Sequence, residues 1–592
     1  MKTYLPLSLY PILFKCASTI YNPVQSSGLS IKIAGKLYQQ ELMSMWSFLN
    51  KKRSPVRIIA VLIIMMFLML WLTAQIYSLI SGRLSEAAEK QSGSTITVGN
   101  VRGTIYDCNL VPLVNTASEY RIASVPSPEA ISLLTKRVDS SVMEMLSDRI
   151  HEGRPIVATI PKITIPTEGM VLFNIPVRYT LPLPAPHVMG YMDGDGIHGA
   201  VGAELIFDEI LHNASGKAAV TYTVDAAGRA MQGMPYTVTN TLNDARAGVA
   251  LTIDSDIQKI AETAAKEHIK KGAVIVMKPE SGHISAMVSL PDFQPNTIAD
   301  NLNNPDSPLL NRALCNYNIG SVFKIVTAIT ALESGISTGT IDECTGSVSI
   351  GGITFHCHHR LGHGTLNMTE AFSVSCNPYF INLNQQTNIS ALYNQATLLG
   401  FDRPIYIADA WKTSRAVLPS ETELLSPAAA ANLSFGQGAL MASPVHIAQL
   451  VAAVVNDGKV IRPTLLCGTV DSQSMLTGQP PAPAQTAFSP QTAAILRRMM
   501  VDVTENGTGK TARPISGGAG GKTGTAETGI TIDNAPVVQG WFAGFYPAEN
   551  PEYVIVVLAE NTDGDGGKAA PVFKEICRNL SLLTKQRNII VD

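Results

Sequence analysis

At 592 residues the chain exceeds one ordinary domain, and its 46% hydrophobic and 15% charged composition fits at least two folded units rather than a disordered polymer. A formal net charge of -3 leaves no global basic field, so nucleic acid is not an expected partner.

Residues 1–42 carry no targeting pattern, and Met43 or Met45 marks a candidate start for a shorter chain. Just behind it Lys51, Lys52, Arg53 and Arg57 precede an apolar run from Ile58 to about Ile80, with no charged side chain until Arg83. Such a run spans a bilayer as a helix, which needs roughly 20 residues. The basic flank sets the N-terminus in the cytoplasm and everything after about residue 81 outside, because Arg83, Glu86, Glu89 and Lys90 roughly cancel. The alternative, a cleaved signal peptide, has a shorter apolar core and a small-x-small site that is not evident here. The expected organisation is therefore a cytoplasmic segment (1–57), a membrane anchor (58–80), a linker and first outer unit (81–245), and a second outer unit (246–592).

Glu86 to Asn100 is polar and Ser/Gly-containing, as a linker is. The first outer unit holds β-like segments, turns around Pro182, Pro184 and Pro186, and a helical stretch near Glu204 to Leu211. Its Asp193-Gly194-Asp195-Gly196 run lacks the remaining ligands of a calcium loop and reads as a turn. In the second unit Asp254 or Ser255 caps a helix with Ile257, Ile260, Ala261, Ala264 and Ala265 on one face. Strands Ala273–Met277 and Ile284–Val288 follow, joined by a turn at Pro279 to Gly282. Another strand pair, Trp541–Phe545 and Tyr553–Ala559, precedes a final helix from about Val572 to Leu583. Strands at both ends with a helical middle predict one α/β domain whose sheet is assembled from distant parts of the chain.

All cysteines but Cys16 fall on the outer side, where disulfides form. Cys344 and Cys357 bracket a hairpin turning at Gly351-Gly352, which makes them a candidate disulfide. Cys357, His358, His359 and His363, with His356 beside them, match no standard zinc spacing; a surface loop and no metal are expected there.

Gly320-Ser321-Val322-Phe323-Lys324 runs into the apolar Ile325, Val326, Ala328 and Ile329, which sets Ser321 and Lys324 near the start of a buried helix. Three residues apart, their side chains share a face, and a lysine serves as base to a serine hydroxyl if burial lowers its pKa. Ser375-Cys376-Asn377 and Lys522-Thr523-Gly524-Thr525 follow in order, the latter after a glycine-rich stretch. A strand bearing Lys-Thr-Gly-Thr offers a cation and hydroxyls to a carboxylate, and its glycine admits a ligand backbone. These are the three elements shared by serine β-lactamases and penicillin-binding proteins.

With them the chain resembles the class B penicillin-binding proteins, the monofunctional D,D-transpeptidases, over nearly everything after the apolar run. Further similarity lies at Asn311-Arg312-Ala313, Tyr317 to Gly320, Pro291-Asp292-Phe293, Phe435-Gly436-Gln437-Gly438, Ser443-Pro444, Asn456 to Lys459, Arg462-Pro463 and Trp541 to Gly544. Arg102 to Asp107, with Gly202, Glu204 and Leu211, is similar to the family's non-catalytic pedestal, and Cys108, Leu110 and Ile319 depart from its usual residues. The Cys344–Cys357 hairpin looks most like the sporulation or elongation branch. The resemblance implies an α/β (α+β) transpeptidase/β-lactamase-like domain with a central antiparallel sheet flanked by helices, a mostly β pedestal and one transmembrane helix. It also implies Ser321 as nucleophile, Lys324 as its base, Ser375 as proton relay, Asn377 on the substrate amide, and Lys522, Thr523, Gly524 and Thr525 at its terminal carboxylate. Stem peptides of peptidoglycan would be substrates, β-lactams inhibitors, and cell-wall synthesis proteins partners; no cofactor is implied. A hydrolase using water at the same site, or a non-enzymatic scaffold, stays as an alternative that the anchor and pedestal argue against.

Overall fold

The computed structural model describes residues 55–81, 93–162, 169–532, 535–563 and 566–591. Cys16, the candidate starts at Met43 and Met45, the basic residues 51–53 and linker residues 82–92 lie outside the described residues. Helix α1 (Pro55–Ser81) contains a 21-residue span, Ile58–Ser78, of mean hydropathy 2.5, none of it covered by protein. Phe67, Leu70 and Trp71 stand exposed on it. A helix apolar on every side is stable when its surroundings are apolar too.

From Gly93 onward the chain forms a second compact unit. Its first part has strands β1 (Gly93–Val101), β2 (Thr104–Tyr106), β3 (Ala117–Ser124), β4 (Ile156–Ile160), β5 (Met170–Val177), β6 (Gly216–Thr223) and β7 (Tyr236–Asn240). All but β2 make two antiparallel sheets, β1-β6-β7 and β4-β3-β5. Val98, Phe173, Ile175, Val220 and Tyr222 fill the space between. The helix expected over Glu204 to Leu211 forms as two, Gly202–Ile206 and Asp208–Asn213, broken at Phe207, whose backbone leaves the helical region. Asp193 makes the expected turn, accepting at Oδ1 from the Ile197 and His198 amides.

Strand β8 (Gly248–Leu251) pairs in parallel with β2 and antiparallel with Leu466–Val470, so one small sheet joins the pedestal to the rest. Helix α2 (Ser255–His268) is capped by Asp254, which accepts from the Asp256 and Ile257 amides. The main sheet is built from β9 (Gly272–Met277), β10 (Ile284–Leu290), β11 (Gly520–Ile532), β12 (Ala535–Tyr546) and β13 (Tyr553–Asp563) in the order β10-β9-β13-β12-β11. Every pairing in it is antiparallel.

Side-chain alternation explains how both faces are covered. Val274 and Val276 of β9 pack with Ile257 and Ala261 of α2 and with Phe573 and Ile576 of α7 (Ala569–Val591). Ala273, Ile275 and Met277 face the opposite way, onto a helical layer that includes α3 (Lys324–Glu333), α4 (Asn377–Gln385), α5 (Pro444–Val455) and α6 (Pro490–Glu505). Helix α5 is buried from Pro444 to Val454, apolar nearly all round because it lies inside that layer. Helix α7 extends past the expected end at Leu583, where Arg587 pairs bidentately with Asp254 at 2.9 Å and reaches Asp256 at 2.8 Å.

Ser321 and Lys324 stand at the start of a buried helix as expected, Ser321 in a 3-10 turn, Gly320–Phe323, that runs into the α-helix at Lys324. One expectation is corrected. The hairpin forms as strands Ser347–Ile350 and Ile353–His356 around left-handed Gly351 and Gly352, yet Cys344 and Cys357 are free thiols. They share their surroundings with a third sulfur, that of Cys376, which sequence spacing did not bring to the pair.

Candidate active site

Three segments far apart in the chain supply the site: the Gly320–Phe323 turn, the bend before α4, and β11. Gly320 makes the first approach. Its φ is +55°, and a Cβ there would stand 2.5 Å from the Thr525 carbonyl oxygen, so only glycine lets the serine turn lie against the third segment. Gly436 closes from the other side, φ +86°, where a Cβ would meet the Gly320 oxygen at 1.9 Å. Gly524 admits Val322 and the Ile319 carbonyl against β11. Trp541, fully buried on β12, donates from Nε1 to the Asn318 carbonyl at 2.9 Å and fixes the strand leading into the turn.

Lys324, fully buried at the first turn of α3, gathers the polar groups. Its Nζ lies 3.1 Å from Ser321 Oγ, 2.7 Å from the Ser375 carbonyl oxygen, 3.2 Å from Ser375 Oγ and 2.6 Å from Asn377 Oδ1. The two shortest contacts are to oxygens that only accept. They take two hydrogens, and in the neutral amine the remaining lone pair is free for a hydroxyl proton. Burial lowers this amine from 10.5 to about 7, so the neutral form is accessible near physiological pH.

Ser375 is held in a left-handed backbone conformation, φ +57°, uncommon for a residue with a Cβ. Lys522 Nζ, also fully buried, donates to Ser375 Oγ at 2.9 Å. Burial, and then the charge of Lys324, push Lys522 well below the usual lysine range. Two ammoniums cannot both be held cheaply around one hydroxyl in a desolvated site, so the pair favours states with at least one amine neutral. Each amine also lies near an aromatic face, Lys324 over Phe380 and Lys522 over Phe372, 5.6 Å to the centroid in both. Thr523 and Thr525 line the open cleft above, about 1080 Å³, together with Ser321, Ser375, Asn377, Glu527 and Arg360.

All the residues singled out in the three motifs converge here except Gly524, which contributes backbone proximity rather than a side chain. Thr508 was not anticipated: its hydroxyl lies 2.7 Å from that of Thr523, and Asn506-Gly507-Thr508-Gly509 signals only a turn. Arg312 is legible only for its place in the approach to the nucleophile; its pairing was not anticipated, the buried guanidinium bonding Glu560 at 2.7 Å and tying that approach to β13. An isolated arginine 248 positions away from its partner leaves no local signal.

The geometry matches known proteins at the level of the family. The penicillin binding protein transpeptidase domain matches residues 272–578, just over half the chain. The chain belongs to that family. It is 28% identical to stage V sporulation protein D of Bacillus subtilis over 81% of this chain and 77% of that one. It is 32% identical to the peptidoglycan D,D-transpeptidase PbpA of Mycolicibacterium smegmatis over 56% of this chain and 72% of that one. The structure is similar to a ceftriaxone acyl-enzyme complex of penicillin-binding protein A from M. tuberculosis, with a TM-score of 0.57 and 26% identity, covering 67% of this chain and 91% of that one. These similarities support a class B penicillin-binding protein of the sporulation or elongation branch.

Proposed function

We propose that the protein is a peptidoglycan D,D-transpeptidase that cross-links stem peptides through an acyl-enzyme on Ser321 and is acylated at the same serine by β-lactams. The observation that carries the reading is the hydrogen-bonded chain from Ser321 Oγ to Lys324 Nζ, on to Ser375 Oγ and then to Lys522 Nζ, at the floor of an open cleft. Neutral Lys324 takes the Ser321 proton as Oγ attacks the carbonyl of the penultimate D-alanine. Ser375, between the two amines, returns a proton to the leaving nitrogen. Asn377 holds the substrate amide, and Lys522 with Thr523 and Thr525 receives the terminal carboxylate. Backbone amides of Ser321 and Thr525 stabilise the oxyanion, each worth on the order of 3 kcal/mol. The amine of a neighbouring stem peptide then resolves the ester and closes the cross-link.

Helix α1 anchors the enzyme, with the N-terminus cytoplasmic and the catalytic part on the outer face, a reading supported by the basic residues ahead of the span. Proteins of the cell-wall synthesis machinery are its expected partners, in line with the complex of a similarly folded penicillin-binding protein with MreC in Helicobacter pylori.

Incubation with benzylpenicillin followed by intact mass tests the reading. A stable single adduct, absent in Ser321→Ala, together with cross-linked dimer formed from stem-peptide substrates, is expected. Rapid turnover of the drug without an adduct would make the protein a hydrolase.

A further inference from the structure

One acid stands in the cleft, and the acyl-transfer chemistry does not use it. Apart from two histidines, only Arg360 and Glu527 among the residues lining the cleft carry a formal charge, and Glu527 is the sole carboxylate. Strand β11 is the end strand of the main sheet, laddered to β12. Along it Lys522, Gly524 and Ala526 are buried, Thr523 is half-buried, and Thr525 and Glu527 are exposed. That alternation sets Thr523, Thr525 and Glu527 in a row on one face, the face that lines the cleft. The regular ladder ends at Glu527, opposite Val538; the register shifts before Thr531, and Gly529 is left-handed. Thr528 fixes that end, donating from Oγ1 to the Val537 carbonyl at 2.8 Å and accepting from the Ile530 amide at 3.2 Å. Glu527 thus stands in the cleft on a fixed backbone, and among the described residues no cation pairs with it. Arg360 belongs to a different wall, in the segment whose His356 carbonyl accepts from Asn377 Nδ2 at 3.4 Å.

We propose that Glu527 is a specificity-determining residue of the donor site, holding the side-chain ammonium of the stem-peptide residue that precedes the two terminal D-alanines. The register along β11 argues for it. An extended peptide added to an edge strand follows that strand residue by residue, at about 3.3 Å per step. With the terminal carboxylate at Lys522 and Thr523 and the attacked carbonyl at Thr525, the residue before the D-alanines falls beside Glu527, two positions further on. Cross-linking requires an amine on the stem peptide, so a donor stem brings one of its own into the cleft. An alkyl amine of ordinary pKa, about 10.4, is an ammonium at neutral pH. Glu527 is the one carboxylate lining the cleft for it to meet, and Arg360 repels it from the wall beside Asn377.

The consequence is a choice between donors. A stem whose amine has been consumed in a cross-link, or acylated, has lost the charge, so stems with a free amine are the preferred donors. An ion pair open to solvent on one side is worth up to about fivefold in affinity, and added salt weakens it. The proposal rests on the acyl-transfer reading, which supplies the direction in which the donor lies along β11.

Two penicillins test it on the full chain in detergent: 6-aminopenicillanic acid acylated with Nα-acetyl-lysine, the ε-amine free in one and acetylated in its twin. The lysyl group takes the place of the residue before the D-alanines. Because the twins differ only at that amine, the ratio of their rates of Ser321 acylation, read by intact mass, cancels any general change in the site. In the wild-type chain at low salt the free amine should react about fivefold faster, and added NaCl should shrink the ratio towards one. Glu527→Gln should bring the ratio to about one, and Glu527→Lys should push it lower. Equal rates for the twins in the wild-type chain overturn the proposal whatever the variants do. So does a ratio that Glu527→Gln leaves unchanged. An effect of Glu527→Gln confined to the later step, in which an amine resolves the acyl-enzyme, assigns the carboxylate to the acceptor and overturns the donor site. No adduct from either twin or from benzylpenicillin removes the acyl-transfer reading and the proposal with it, whereas adducts formed without preference remove the proposal alone.

Discussion

Lys324 answers to two opposed demands, since the burial that weakens its hold on a proton also makes its charged form costly to fold. Its amine is moved from 10.5 to about 7, so below pH 7 it carries the proton and cannot accept one from Ser321. Penicillin acylation should therefore fall about tenfold per pH unit below roughly pH 6 and level off above pH 8, as measured by stopped-flow with a fluorescent β-lactam. The same shift has a stability sign. Between about pH 7 and 10.5 the unfolded chain binds a proton here that the folded one does not, so stability rises with pH across that window. Lys324→Met should remove a penalty on the order of 4 kcal/mol at neutral pH, raising Tm by several degrees while abolishing acylation. The Ser-x-x-Lys pairing was legible in the sequence. The value of the pKa was not, because it depends on Phe380, Ser375 and Asn377 closing over the amine.

Among elements, the contact between the Gly320–Phe323 turn and β11 depends on atoms that are absent. Gly436→Ala places a methyl group 1.9 Å from the Gly320 oxygen at a left-handed φ, so the turn must shift. Displacing a nucleophile by about 1 Å costs on the order of 100-fold in rate, and acylation by benzylpenicillin should drop to that extent with the circular dichroism spectrum retained. Strand and helix positions were largely readable. Val274 and Val276 against Ala273, Ile275 and Met277 show the period-two pattern of a sheet covered on both faces, and Asp254 caps the helix assigned to it. Cys344 and Cys357 read as a disulfide pair because they bracket a hairpin, and the run from His356 to His363 as a surface loop because its Cys and His spacing follows no linear template. The grouping with Cys376 comes from three short elements meeting.

On the scale of the whole molecule, the pedestal is held by a buried charge network. Glu204, fully buried, accepts from Arg102 Nε at 3.0 Å, Arg178 Nε at 2.7 Å and the Tyr179 hydroxyl at 2.9 Å. Glu204→Gln leaves the Arg178 guanidinium without a carboxylate and Arg102 with Asp208 alone, and should cost about 3 kcal/mol in urea unfolding, with Ser321 still acylated at 25 °C. The chain from Gly93 onward forms a compact unit apart from α1. Expression of that part alone should move the protein from the membrane pellet to the soluble fraction and leave its acylation rate within about twofold.

The sequence by itself determined the apolar span, the three motifs in their order, the antiparallel strand pairs and the helix caps. Each of these is written in neighbours a few residues apart, where periodicity and backbone preference act. Tertiary structure alone decided that Ser375 would stand between two buried amines, that Arg312 would meet Glu560, and that three sulfurs and an imidazole nitrogen would lie within 4.8 Å of one another. Those outcomes arise from long-range packing and desolvation, which set distances and pKa values only once the sheet has brought the ends of the chain together.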